Sequence, residues 1–350
     1  MQYEDATLDE VYCALQWLSP DKDRDDWAKV AMALKSEFGE LAFDLFDSWS
    51  SPGQSYNTKA CRDTWKSVKA SGREGSVTIA SIFKEAIDCG YTPEKLTLSA
   101  SEKSARKVQA EERRALAQKQ AEEEAVHTKR WHLIMKKVCA DLWGRMVSSG
   151  ESQYLLDKQV DALGVRFIAS KLVLELNEAE CSYAIHSSSV GIREFFDRKT
   201  DDTKFRYLKP GTFAVPVRDS AYNLRNLQLV HKTGVKKFLP GPKSGLFHFI
   251  DVASADHTAP IVIAEGYATA ASCHMATGLR TVVAFDCGNL IKVSIKMREI
   301  FPESKIVIAG DDDSGTEGNP GAKKALEAAN ACNGVVVLPN FEVGEVQCAA

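Results

Sequence analysis

The sequence predicts a multidomain chain. An all-α module is expected over residues 1–95, a long charged linker helix over 96–148, an α+β subdomain over 149–255, and an α/β domain with a parallel sheet over 256–350. Three observations carry this prediction. Apolar residues recur every three or four positions from Leu8 to Tyr91, residues 101–140 are dominated by Ala, Glu, Gln, Lys and Arg, and apolar runs alternate with helical patterns from Ala259 onward.

In the first stretch VYCALQWL, DWAKVAMALKSEF and LAFDLFDSWS each show one apolar helix face, and Ser19-Pro20 and Ser51-Pro52-Gly53 supply the breaks. Ser76 to Ala86 reads as a last helix capped by Thr or Ser, and Trp17, Trp27, Trp49 and Trp65 are expected to fill one small core. The next stretch has few apolar anchors before Trp131, Leu133, Ile134 and Met135, so it is expected to be an exposed helix. Its basic pairs Arg113/Arg114 and Lys136/Lys137 are either a solvated face or a phosphate contact. Short alternating segments with turn residues follow at 211–219, 224–231, 236–241 and 245–250, which predicts hairpins. From 261 the order strand, helix, strand, helix, strand, helix, strand is read from IVIAE, YATAASCHMAT, TVVAF, LIKVSIKMREIF, KIVIAG, GAKKALEAANAC and GVVVLP. Strands joined by single helices predict a parallel sheet.

The formal net charge of −4 hides an uneven distribution. Arg198, Lys199, Lys204, Arg206, Lys209, Arg218, Arg225, Lys232, Lys236 and Lys237 lie between Arg193 and Lys243, whereas the segment after 250 is acidic. A basic groove facing an acidic pocket suits a nucleic-acid enzyme, and an ordinary solvated face is the alternative. Nine cysteines without a CxxC pair predict reduced thiols and no zinc site. The amino terminus lacks a secretory pattern and no run of eighteen apolar residues occurs, so the expected location is the cytoplasm, with no membrane partner.

The chemistry is concentrated at two strand ends. Glu265 closes IVIAE, and Asp311, Asp312 and Asp313 close KIVIAGDDD. Ligand groups of open α/β sheets collect at the carboxyl edge, and clustered carboxylates there make a hard oxygen pocket suited to Mg²⁺ or Mn²⁺. The competing reading is that these acids cap the helices that follow. A Glu at one strand end and a DxD two strands later resemble the Toprim domain, the catalytic fold of topoisomerases and primases, over roughly 260–340. The resemblance implies that Glu265, Asp311 and Asp313 are its catalytic and metal-holding acids, with Asp312 as a further metal candidate.

The strings EGYATAASCHMATG, VVAFDCGNL and AGDDD, then GNPGAKKALEAA, resemble the Toprim domains of plasmid conjugative DNA primases and related mobile-element primases. YLLDKQVDALGVRF, FAVPVRDSAYNLRNLQLV and GVKKFLPGPKSGLFHFI are similar to the preceding half of the primase catalytic core. The resemblance implies primer synthesis on single-stranded DNA from ribonucleoside triphosphates by two-metal nucleotidyl transfer, in replication or transfer of a plasmid, phage or integrative element. A helicase or other replication protein is then a candidate partner. Lys236 and Lys237 occupy the position of a basic motif beside the site, and Arg206 is assigned with them to phosphate contacts. Lys323, behind the Gly318-Asn319-Pro320-Gly321 turn, is a further phosphate candidate, with plain helix initiation as the alternative. Asp286 is either an outer metal partner or a helix cap. The helical module resembles a small domain attached to phage and plasmid primases, in which Trp65 is either core or, with Lys66 and Lys69, a DNA contact. Thr269 stands where replicative primases carry an acid, and beyond the fourth strand only Glu342 and Glu345 could serve as a further acidic motif. A Toprim nuclease and a non-catalytic single-strand-binding factor are the rival functions.

Overall fold

The structure, a computed structural model, describes residues 3, 5–68, 77–93, 99–250, 258–311 and 319–338. The chain divides into two compact units, residues 1–128 and 129–350. No helix among the described residues is long and apolar enough to cross a membrane.

The first unit contains α1 (Leu8–Leu15), α2 (Arg24–Phe38), a 3-10 turn (Gly39–Ala42), α3 (Phe43–Ser50), α4 (Thr58–Ser67) and α5 (Ile79–Asp88). Thr7 and Glu10 form a capping box at α1, while Asp23 and Asn57 accept the N–H groups of Asp26 and Ala60 at the starts of α2 and α4. Thr78 occupies the cap position of α5 but makes no side-chain capping bond. Leu15, Leu34, Phe46, Trp49, Trp65 and Phe83 form the core. Trp17 departs from the expected tryptophan core and is 51% exposed. Burial follows Val11, Ala14, Leu15 and Leu18, one face at helical spacing, and position 17 lies off it. Trp27 is half-buried and donates to Ser50 Oγ at 2.9 Å.

Helix α6 (Ala100–Arg145) follows. Within the first unit Ala110 and Ala117, seven residues apart, are buried, and Ala117 lies against Gly39, whose φ of 61° and lack of Cβ suit the turn. Arg106 pairs with Glu10 at 2.8 Å, and Glu37 receives Arg114 at 2.9 Å and Arg113 at 3.3 Å. From Trp131 onward Met135, Val138, Cys139 and Leu142 enter a core of the second unit. The helix expected as a linker therefore contributes side chains to a core in each unit.

After α7 (Gln153–Asp157) come β1 (Arg166–Phe167), β2 (Leu172–Asn177), β3 (Ser182–His186), α8 (Ser189–Arg198), β4 (Lys204–Leu208), β5 (Phe213–Arg218), β6 (Leu224–Val230), β7 (Lys236–Phe238) and β8 (His248–Ile250). The remaining elements are β9 (Ile261–Ala264), α9 (Tyr267–Thr277), β10 (Arg280–Val283), α10 (Cys287–Ile300), β11 (Ile306–Ala309), α11 (Pro320–Cys332) and β12 (Val335–Val337). They build an antiparallel sheet β1-β5-β6-β7, a small sheet β3-β2-β4 and a five-stranded sheet β12-β11-β9-β10-β8. Period-two alternation sorts β5 between two cores: Ala214 joins the α6 side, while Phe213, Val215 and Val217 face a core shared with α9. The five-stranded sheet alternates in the same way, Val262 and Ala264 toward α9, Ile261 and Ile263 toward α10 and α11.

One expectation is corrected here. The segment 245–250 does not form a hairpin of the antiparallel sheet but supplies β8, which pairs with β10 through Val283↔His248. The strands expected to be parallel, β9, β10, β11 and β12, are parallel, and β8 runs antiparallel along the edge of their sheet. An edge strand entering directly from β7 needs no crossover helix, so no helical pattern marks it in the sequence.

Candidate active site at the carboxyl edge of the parallel strands

Ala264 of β9 is in register with Ala309 of β11 and Val283 of β10. Glu265 is thus one residue past the central strand, and Asp311 two residues past its neighbour, at the same sheet edge. Both are half-buried. Thr269, in the first turn of α9, donates its hydroxyl toward Asp311 Oδ1 at 3.5 Å. One turn further Cys273 has its thiol pKa raised by burial and by the negative charge of Asp311. Gly310 precedes Asp311 because β11 meets α11 closely there: a Cβ would lie 2.7 Å from Ala325 Cβ and 2.8 Å from Leu338 Cδ2. Asp312 and Asp313 lie outside the described residues.

The adjacent lysines of β7 part company. Lys236 Nζ is 3.8 Å from where a Cβ of Gly266 would stand, so the ammonium lies beside the residue that follows Glu265. Lys237 points to the other face of β7 and lines a cavity of about 350 Å³ with Arg206, Phe205, Tyr207 and His231. Arg206 donates to Phe205 O at 3.0 Å, and its buried Nε has no hydrogen-bond partner. Lys323 is exposed in the first turns of α11, where Asn319, at φ 41°, accepts the N–H of Ala322. The helix-initiation reading of that turn is therefore visible at Asn319, and Gly318 lies outside the described residues.

Asp286 caps α10, its Oδ1 accepting Asn289 N–H at 2.9 Å while its Oδ2 receives Lys243 Nζ at 2.9 Å. Phe285, just before it, holds φ 75° and packs its ring on Phe238 at 5.6 Å, a strained backbone at the mouth of the site. Trp65 is core, 2% exposed, with Nε1 donating to Glu40 at 2.9 Å; Lys66 is exposed and Lys69 lies outside the described residues.

Three contributors went unread in the sequence. Tyr267 is buried, its hydroxyl accepting Leu163 N–H at 2.7 Å and donating toward Asp161 or Leu163 carbonyls at 3.1 Å, which ties the start of α9 to the 161–163 segment. Asn289 and Lys243 bind the segment between β7 and β8 to α10. No periodicity signals such contacts, although Asn289 is conspicuous as a polar residue two positions inside a helix.

The donor chemistry at the edge, two carboxylates and a hydroxyl, fits a hard divalent cation. Among the described residues no three His, Cys, Asp or Glu side chains converge closely enough to hold a metal. Glu265 and Asp311 therefore supply part of a donor set at most.

Residues 12–86 match the family model described as Primase C terminal 2 (PriCT-2), and residues 260–345 match that of the Toprim domain. Two Escherichia coli proteins named DNA primase TraC are 42% and 40% identical to the chain over 137 residues, 37% of this chain. The match spans only 13% and 10% of their lengths. The solved Escherichia coli primase catalytic core is similar at 14% identity and a TM-score of 0.35, covering 60% of this chain and 73% of that one.

Proposed function

We infer that this chain, carrying a PriCT-2 module and a Toprim domain, is a Toprim-type DNA primase of the conjugative-plasmid kind, which synthesises short RNA primers on single-stranded DNA. The observation that carries the reading is the meeting of Glu265 and Asp311 at one sheet edge with the Lys236 ammonium beside Gly266. Carboxylates and a cation at one edge suit a reaction in which a polyphosphate is held and cleaved.

In this reading Glu265, Asp311 and Asp313, with Asp312, would hold Mg²⁺ or Mn²⁺, whose chemistry is to stabilise charge on the α-phosphate and on the departing pyrophosphate. Thr269 orients Asp311 through its hydroxyl. Lys236 meets the polyphosphate of the incoming ribonucleotide. The primer 3'-hydroxyl forms the new O–P bond in line as the α–β bond breaks, and its proton passes to a carboxylate of this edge, for which Glu265 is our choice. Lys237, on the other face of β7, and Arg206 of β4 contact phosphates of the template strand, and Phe205 and Tyr207 offer rings for its bases. Lys323 is a further phosphate contact. The setting is cytoplasmic replication or transfer of a plasmid, phage or integrative element, with a helicase or other replication protein as partner.

The test is incorporation of labelled ribonucleotides on unprimed single-stranded DNA with Mg²⁺ or Mn²⁺. Glu265→Gln and Asp311→Asn are expected to lower primer synthesis about a hundredfold or more with template binding intact. Absence of products from the unaltered chain, with the template still bound, would overturn the reading, and a degraded template would replace it with a nuclease.

A further inference from the structure

We propose that Lys243 is a second phosphate-binding lysine of this site, held in place by Asp286 and by the buried amide of Asn289. The inference rests on the primase reading only for the source of the phosphate.

Position comes first. Asp286 follows β10, the neighbour of β9, so the Lys243 ammonium, 2.9 Å from Asp286 Oδ2, stands at the edge that also carries Glu265. Lys236 approaches the same edge at Gly266. Phe238 lies between the two in sequence, and the Lys243 ammonium stands over its ring, Nζ 5.4 Å from the ring centre. Two ammonium groups from one short segment therefore flank the strand ends.

Preorganisation comes second. The α10 cap Asp286 and, at three-residue steps into the helix, Asn289 and Lys292 fasten the segment 243–246. Asp286 takes Lys243, Asn289 accepts Gly245 N–H at 2.6 Å and donates to Leu246 O at 2.9 Å, and Lys292 reaches Ser244 Oγ at 2.7 Å. Asn289 is 4% exposed and spends its other N–H on Ala284 O at 2.8 Å, so strand end and segment are locked through one side chain. This lock needs no charge at position 243.

Energetics decide the role of the charge. The Lys243 and Asp286 side chains are 52% and 33% exposed, and pairs so open to water contribute little to stability. A phosphate, carrying more charge and several acceptor oxygens, can draw the ammonium from Asp286 at small cost. Either the polyphosphate of a ribonucleotide or a backbone phosphate of the template has this chemistry.

The experiment uses the full chain with Lys243→Met, which keeps an unbranched side chain without the charge, and Lys243→Arg, which keeps the charge. Steady-state primer synthesis, direct binding of a labelled ribonucleoside triphosphate and binding of single-stranded DNA are measured, with melting temperature as the folding control. The Met variant is expected to raise KM for ribonucleotides about tenfold with kcat changed little, and Arg to restore most of it. Weaker DNA binding with unchanged KM would support the inference with the template as the phosphate source. Unchanged KM and unchanged affinity for both ligands in a folded Met variant would overturn it. If the unaltered chain makes no primers yet binds triphosphate through Lys243, the primase reading fails while the inference stands; if it binds neither ligand, both fail.

Discussion

His248 sits in β8 with its ring against Gly164, where a Cβ would come within 2.8 Å of Cε1, and near Tyr267 at 6.4 Å. Burial pushes its pKa from 6.5 down to about 4, the charge of Arg218 adds to this, and a bond to Leu163 O opposes it. Its Nδ1 has no partner. The neutral ring is the form that folds, so the unfolded chain binds the proton more readily, and stability rises with pH between about 4 and 6.5. Acidification through that window is expected to remove up to about 3 kcal/mol, the full shift converted at 1.36 kcal/mol per unit. Urea unfolding at pH 7 and pH 5 should reveal the slope, and His248→Phe should reduce it; equal slopes in both proteins would refute the assignment. Nothing in FHFI tells this histidine from a solvated one. Its protonation is decided by burial, with Leu163 and Arg218 acting on the ring, and these residues are remote in the chain and adjacent only after folding.

Single elements show what periodicity can and cannot reveal. The alternation of strands and helices from 261 onward was legible because each βαβ unit is local, and every element expected there is found. Lys236-Lys237 reads as one basic motif, yet a strand turns successive side chains to opposite faces, so only Lys236 reaches Gly266. Gly310 reads only as the end of the strand string KIVIAG, and the fold uses it to seat β11 against α11. Gly310→Ala is expected to cost about 1–3 kcal/mol from overpacking against Ala325 and Leu338. Because Asp311 is next in the chain, the proposed primer synthesis should fall by more than the loss of folded protein explains. Thermal unfolding with activity per folded molecule checks this, and an unchanged melting temperature would show that the contact relaxes freely.

Across the whole chain α6 is the element whose role composition conceals. Its charged residues suggest a solvated rod, but in the first unit Arg113 and Arg114 converge on Glu37, whose side chain is only 10% exposed, and Ala110 and Ala117 are buried. Glu37→Ala is expected to loosen residues 106–117 from the first unit and to lower its stability by about 1–3 kcal/mol, the worth of hydrogen bonds to a charged group. Hydrogen exchange should quicken over 106–117 and remain unchanged over β9 and β11. Unaltered exchange in α6 would mean that the alanine contacts alone hold it.

The sequence by itself determined the helical character of the first module, the order of elements from β9 to β12, and the two acidic strand ends, because each rests on local periodicity or on an unusual residue at a strand terminus. The tertiary structure decided what depends on distant pairing. Register sets Glu265 beside the Asp311 strand end, the antiparallel edge strand β8 carries the preceding segment onto α10, and the pleat separates Lys236 from Lys237. The same limit explains Trp17, Tyr267 and Asn289: a side chain's type is written in the chain, but its partners and its burial arise only when remote segments meet.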